Sequence, residues 1–262
     1  MPSTPAYEIA NPAGNPAVIL LCDHASNRVP DEVAGGDLGL PPTDMARHIA
    51  YDVGARGVTL ELARLLNAPA VLSTFSRLVI DPNRGEDDPT LVMQLYDGSV
   101  IPANRRIEAP EIAARLDAWH RPYHGAIRAT IAAAQAKMAD AGAATPRPAV
   151  ISLHSYTPQL RGRPPRPWHA GVLWDRDARL ARPMIDLLRA EPDLAVGDNE
   201  PYAGHLAGDT MWTHGTSRGL PHALLELRND LIDTQHQQIA WAARLAPILR
   251  AALARMEEDA AP

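Results

Sequence analysis

Every position in Ala17-Val-Ile-Leu-Leu-Cys22 is apolar, so a strand built from this run has no face to give to water. Strands buried on both faces belong to parallel sheets covered by helices, whereas half-exposed strands alternate polar with apolar. The pattern recurs at Pro69-Ala-Val-Leu-Ser-Thr-Phe75, Leu78-Val-Ile80, Pro148-Ala-Val-Ile-Ser-Leu153, Ala170-Gly-Val-Leu-Trp174 and Pro221-His-Ala-Leu-Leu-Glu-Leu-Arg228. Between these runs the apolar residues take helical spacing. One helix is expected from Thr43 or Asp44 to about Leu66, and a second from Glu111 to Ala141, kinked or split at Pro122. Further helices are expected over 179–190 and from about Ile232 to Met256. Strands alternating with long helices predict an α/β fold, a mainly parallel sheet with helices on both faces. No internal repeat or separating linker interrupts the chain, so residues 1–262 are expected to form one domain.

In such sheets ligands bind beyond the carboxyl ends of the strands, and the residues found there set the chemistry. Ser73-Thr-Phe-Ser-Arg77-Leu-Val-Ile-Asp81-Pro-Asn83-Arg84 ends apolar strand material with two arginines and an asparagine. A guanidinium fork meets a planar carboxylate with two charge-assisted hydrogen bonds, so the cluster predicts a pocket for a small acidic molecule. Its competing reading is salt bridging, to Asp81, Glu86, Asp87 or Asp88. The segments 85–105 and 158–167 are read as loops bordering the site, with Arg161, Arg163 and Arg166 adding charge.

Two histidines, His24 and His154, also end apolar runs. A catalytic zinc takes three protein ligands and keeps one position open, so two histidines and a carboxylate would complete a set. Glu226 stands inside an apolar strand, where charge is normally excluded. It is either an ion-pair partner of Arg228, on the same strand face, or a general base beside a metal-activated water. His120 and His124 have Pro122 between them and are read as packing or hydrogen-bonding residues. His205, His214 and His222 are read as bland.

The net charge of −6 argues against a nucleic acid or an anionic membrane as partner, and leaves the arginine cluster as a local positive spot. A single cysteine, Cys22, cannot pair within the chain and sits in a strand core. Met1-Pro-Ser-Thr-Pro lacks a basic region followed by an apolar stretch, and no apolar run approaches a membrane span. A cytoplasmic location is the expectation. Phosphate-cradling glycine loops, Gly-x-Gly-x-x-Gly and Gly-x-Ser-x-Gly are all missing, which removes nucleotide-dependent and classical serine-hydrolase chemistry.

Taken together, these segments make the chain resemble the N-formylglutamate amidohydrolase family. The matching stretches are Asp23-His24-Ala-Ser-Asn27-Arg-Val-Pro30, His48-Ile-Ala-Tyr-Asp52-Val-Gly54 and Ser76 to Arg84. They continue with Arg121-Pro-Tyr123-His124, Ser152-Leu-His154-Ser155, Asp198-Asn199-Glu-Pro-Tyr202 and Glu226-Leu-Arg228-Asn-Asp230. The family is related to the zinc-dependent exopeptidases and to aspartoacylase and succinylglutamate desuccinylase. The resemblance therefore implies a three-layer α/β/α fold of zinc exopeptidase type around a mixed, mainly parallel sheet.

It also implies a metal-dependent amidohydrolase that releases formate from N-formyl-L-glutamate or a similar N-acylated acidic amino acid. By that resemblance the divalent ion, zinc by family, is held by His24, His154 and a third ligand, and Glu226 is the base. Arg77 faces the oxyanion or a carboxylate, and Asn83 and Arg84 anchor the substrate, joined by Tyr202 and Arg228. The relatives' His-x-x-Glu motif has Asn27 in the glutamate position here, and an amide binds zinc poorly. Asp52 is the preferred third ligand, with an orienting role beside a ligating histidine as its alternative. The missing carboxylate keeps open a metal-free binder of acidic metabolites, and the loops over 85–105 and 158–167, which would set the acyl group, keep open a deacylase or exopeptidase for a different one.

Overall fold

The structure is a computed structural model and describes residues 4–258; the first three residues of the N-terminal stretch read above lie outside it. The chain begins with β1 (Tyr7–Ala10), β2 (Val18–Cys22), α1 (Pro42–Met45), α2 (Ala55–Leu66) and β3 (Ala70–Ser73). A small hairpin, β4 (Leu95–Tyr96) and β5 (Ser99–Val100), precedes α3 (Ala109–Arg115) and α4 (Arg121–Asp140). Then come β6 (Ala149–Tyr156), β7 (Ala170–Leu173), α5 (Ala181–Arg189), β8 (Val196–Asp198), α6 (Thr210–His214), β9 (His222–Arg228) and α7 (Gln235–Glu258).

Seven strands form one sheet in the order β1-β3-β2-β6-β9-β7-β8. The central run β3-β2-β6-β9 is parallel, as is β7-β8, while β1-β3 and β7-β9 are antiparallel. This is the mixed, mainly parallel sheet expected. Strand alternation explains why β2 is apolar throughout. Leu20 and Cys22 pack into the cluster formed with Val58 and Leu62 of α2, Met184 of α5 and Leu245 and Leu249 of α7. Ile19 and Leu21 point the other way, into the cluster with Tyr123, Ile127 and Ile131 of α4. Both clusters exclude water, which makes the three layers.

The same alternation places Leu153, Leu225 and Leu227 on the α2/α7 side. Ser152, His154, Leu224 and Glu226 therefore share the opposite face, toward α4 and α6, and the site is built there.

Some expectations are corrected. The helix expected over 43–66 is broken, because residues 46–54 leave helical form to carry Asp52 to the sheet. The Asp52 amide donates to His24 O at 2.9 Å. Gly54 then starts α2 from φ +81°, where a Cβ would stand 2.1 Å from Ile232 O, so only glycine fits. Leu78-Val-Ile80 is not a strand but a buried turn. Ser76 Oγ accepts from the Leu78 amide at 3.2 Å while donating to Ala50 O at 2.7 Å. Its apolar character reflects burial beneath α4, not pairing. The second helix is not split at Pro122 but changes form there: the chain stays helical from α3 into α4, with a π-helical turn at Leu116–His120 just before the proline. Edge strands β1 and β8 had no apolar run to announce them. Cys22 is buried and unpaired, and burial pushes its thiol far up, as expected of a core residue. No described helix is long and apolar enough to cross a membrane.

Candidate active site

Beyond the carboxyl ends of β2, β6 and β9 lies a cavity of about 160 Å³, lined by His24, Asp52, Arg77, Asn83, Arg84, His154, Tyr202 and Glu226. His24 follows β2 by two residues. His154 lies within β6, two residues before its end, and is in register with Glu226 on the adjacent β9. Asp52 arrives from the interrupted helix. Donor atoms of His24, Asp52 and His154 all lie within 4.8 Å of one another, and all three residues are buried.

Each imidazole is aimed by a carboxylate of its own. His24 donates from Nε2 to Asp81 Oδ1 at 2.7 Å, and His154 from Nε2 to Asp23 Oδ2 at 2.8 Å. Both therefore turn Nδ1 toward Asp52 Oδ2, at 3.3 Å for His24 and 2.8 Å for His154. The two orienting carboxylates are saturated. Asp23 also accepts from Ser152 Oγ at 2.8 Å, Tyr123 OH at 2.9 Å and Thr210 Oγ1 at 2.9 Å. Asp81 also accepts from the Asn83 amide at 2.9 Å and from Arg77 Nε and Nη2 at 3.1 and 2.7 Å. A carboxylate behind each imidazole fixes its tautomer and raises its basicity, an arrangement characteristic of metal-ligating histidines.

The charges also suit a cation. Asp23, Asp52 and Asp81 are buried with one guanidinium, Arg77. Desolvation opposes ionisation of all three aspartates, yet imidazole and guanidinium partners hold each below the ordinary carboxylate range. Three anions against one fixed cation leave two positive charges to be supplied. Without an ion the imidazoles must supply them. Burial works against a charged His154, but its bonds to Asp23 and Asp52 hold it well above the usual histidine range. One divalent ion would supply both charges and take the two Nδ1 atoms and an Asp52 oxygen as ligands. The donor set, two imidazoles and one carboxylate, is one that catalytic zinc uses.

Glu226 Oε2 is buried without a hydrogen-bond partner among the described residues. Burial pushes this carboxyl up to about 7. It makes no pair with Arg228, which donates from Nε to Asp230 Oδ1 at 2.9 Å and does not line the cavity. Of the substrate contacts expected, the one by Arg228 is not brought to the cavity wall. Arg77 borders the cavity but spends Nε and Nη2 on Asp81, with Nη1 3.6 Å from Asp52 Oδ1. Its salt-bridge reading is thus realised, and Arg77 braces Asp81 rather than offering a free fork. Asn27 is exposed and donates to Met45 O at 2.9 Å, away from the cluster, so it is Asp52 that stands beside the two histidines.

The Asn83 side-chain oxygen accepts from the Thr210 amide at 3.0 Å, which turns its NH2 toward the cavity. Arg84 donates from Nε to Thr90 Oγ1 at 3.1 Å and from Nη1 to Asn83 O at 2.7 Å, leaving Nη2 without a partner among the described residues. Of the acidic residues following it, Glu86 pairs with Arg121 and Asp88 accepts from Thr90. Tyr202 stands at the rim, 40% exposed, with the Arg166 guanidinium 4.9 Å from its ring centroid. From the loop over 85–105, Tyr96 reaches the cavity on the β4–β5 hairpin, 5.3 Å from the Arg77 guanidinium. His48, Trp174 and Asp209 also line the cavity and were not singled out from the sequence as site residues. Asp209 carried a legible sign, since an aspartate before a short helical run is a helix cap, here accepting from the Trp212 amide at 2.6 Å. Burial pushes its carboxyl up to about 6.

The sequence profile of the N-formylglutamate amidohydrolase family matches residues 16–233. Among solved structures, a gene product of Agrobacterium tumefaciens is 32% identical, with a TM-score of 0.87 over 97% of each chain. The N-formylglutamate amidohydrolase of Ralstonia eutropha JMP134 is 18% identical, with a TM-score of 0.65 over 94% of this chain and 99% of its own, a likeness of fold. No curated protein matches the chain.

Proposed function

This chain belongs to the N-formylglutamate amidohydrolase family, and on that premise we propose that it hydrolyses N-formyl-L-glutamate or a closely similar N-acylated acidic amino acid to formate and the free amino acid. The observation that carries the reading is the meeting of His24, Asp52 and His154 within 4.8 Å, beside a buried carboxylate with an orphaned oxygen. Those three residues would hold a divalent ion, zinc by their chemistry. When bound, the ion would supply Lewis-acid polarisation of the acyl carbonyl and acidify a water.

The chain's own groups do the rest. Arg84 and the Asn83 amide grip the substrate carboxylate, and Tyr202 closes the rim. Glu226 accepts a proton from the attacking water and returns it to the nitrogen as the C–N bond breaks. The water oxygen leaves in formate, and the amine leaves neutral. Arg77 serves by holding Asp81, and through it His24, in place. The partner is a small anion handled in the cytoplasm by one domain, a reading supported by the net charge of −6 and the lone buried Cys22.

The test is formate release from N-formyl-L-glutamate by wild type and Glu226→Gln, each with and without a chelator, alongside N-acetyl- and N-succinyl-glutamate. Turnover that survives chelation or Glu226→Gln would overturn the mechanism. Equal rates on all three amides would remove the formyl specificity.

A further inference from the structure

Three buried histidines outside the cation cluster converge on the turn that carries Asn83 and Arg84. His124 Nε2 lies 2.9 Å from Pro82 O, and His120 Nε2 lies 2.9 Å from Arg84 O. His214 Nε2 lies 2.8 Å from His124 Nδ1, the two rings stacked at 17°. A carbonyl can only accept, so His124 and His120 must each carry their proton on Nε2. The neutral His124 then has a bare Nδ1, which accepts from His214 Nε2–H. That leaves bare Nδ1 atoms on His214 and His120, and these are the two imidazole nitrogens of the trio that are buried without partners. Burial, the largest influence on all three, holds them below the ordinary histidine range, His124 at about 4 and His214 at about 3, so the neutral assignment stands.

The turn is closed from the other side as well. Thr210 donates from its amide to Asn83 Oδ1 at 3.0 Å, while its hydroxyl proton goes to Asp23. Gly208, at φ +83°, lies so near that a Cβ would meet Gly85 Cα at 2.9 Å. Every carbonyl from Pro82 to Arg84 is therefore occupied: Pro82 by His124, Asn83 by Arg84 Nη1, Arg84 by His120.

We infer that His120, His124 and His214 are positioning residues: a neutral imidazole chain that locks the Pro82-Asn83-Arg84 backbone so that Asn83 and Arg84 present their free N–H groups to the substrate carboxylate. The inference rests on Asn83 and Arg84 being the carboxylate anchor. None of the three histidines hydrogen-bonds to His24, Asp52 or His154, so their loss is read chiefly in substrate binding rather than in turnover. A backbone shift of half an ångström at this turn moves the guanidinium fork off its partner, and misplaced binding groups raise KM.

The test compares KM and kcat for N-formyl-L-glutamate, and inhibition by free L-glutamate, in wild type, Arg84→Leu, His124→Leu, His124→Gln and His120→Leu. Both leucine variants at the histidines should raise KM and the glutamate inhibition constant about tenfold, with kcat within about threefold of wild type. His124→Gln keeps one donor and one acceptor in nearly the same places and should recover most of the loss. His120→Leu, at the edge of the cluster, stands in if His124→Leu does not fold. A fall in kcat with KM unchanged, or failure of the glutamine variant to recover, would overturn the clamp. If Arg84→Leu itself leaves KM and inhibition unchanged, the anchor reading falls instead. If Arg84→Leu weakens both and the histidine variants do not, only the clamp is wrong.

Discussion

Replacing Glu226 by glutamine should do two opposite things, and both magnitudes follow from its burial. The side chain keeps its shape but can no longer accept a proton, so kcat should fall by about 10²–10⁴. Stability should respond the other way, and only at high pH. The folded-state carboxyl titrates at about 7, above its ordinary value of 4.5, so the folded state holds the proton more tightly than the unfolded chain. Such a group loses stability as pH rises from the unfolded value, and the loss levels off once pH passes the folded one. At 1.36 kcal/mol per pKa unit, the wild type should lose about 2–3 kcal/mol between pH 5 and pH 8 through this residue alone. Glutamine does not titrate, so the stability difference between variant and wild type should move in the variant's favour by that amount over the interval. Any fixed cost of burying the amide cancels in the comparison. Urea unfolding of chelator-treated protein at both pH values measures it. Adding zinc should shrink the effect, because a nearby dication lowers the carboxyl's pKa. If the difference is flat from pH 5 to pH 8 in the metal-free protein, Glu226 is not the desolvated group argued here.

Purified protein should carry about one divalent ion per chain by elemental analysis, chelation should abolish turnover, and Asp52→Asn should lose most of the metal. Asp81→Asn strips Arg77 of its carboxylate partner and His24 of its orienting acceptor; urea titration should show a loss of about 3–5 kcal/mol, typical of a broken buried pair. Acid should destabilise the protein through His124 and His214, whose folded pKa values are depressed to about 4 and about 3 by burial. Below the unfolded value of 6.5 the open chain takes protons that the folded one refuses, so moving from pH 6.5 to pH 5 costs about 2 kcal/mol for each. His214→Gln should remove about half of that acid sensitivity in a pH series of unfolding curves. Gly54→Ala should cost more than about 2 kcal/mol in thermal unfolding, since a Cβ there meets Ile232 O at 2.1 Å and φ is +81°.

Much of the architecture was written in local pattern. Val18–Cys22 is apolar at every position, and Ala149–Leu153 at every position but Ser152, because both faces of these strands are covered. Pro122 marked the place where its helix changes form. His24, His154 and Glu226 were conspicuous because polar residues in such runs are expensive unless used. What a linear reading could not supply was partnership across the fold. Asp23 sits beside His24 in sequence but serves His154, while Asp81, 57 residues away from His24, serves it. Leu78-Val-Ile80 looked like a strand because burial selects the same residues whether or not they pair. Arg77 could be read as a substrate ligand or as a salt-bridge partner, because a guanidinium's type says nothing about which carboxylate reaches it; in the fold Asp81, four residues on, does. His120 and His124 were legible as packing or hydrogen-bonding residues and His214 only as bland, since their partners lie 36 to 90 residues distant in the chain. Sequence alone determined which residues are buried and which are chemically capable, because burial and side-chain type are local properties. Only the tertiary structure decided which capable groups meet, because hydrogen bonds and charge pairing act over a few ångströms between segments that the order of the chain does not bring together.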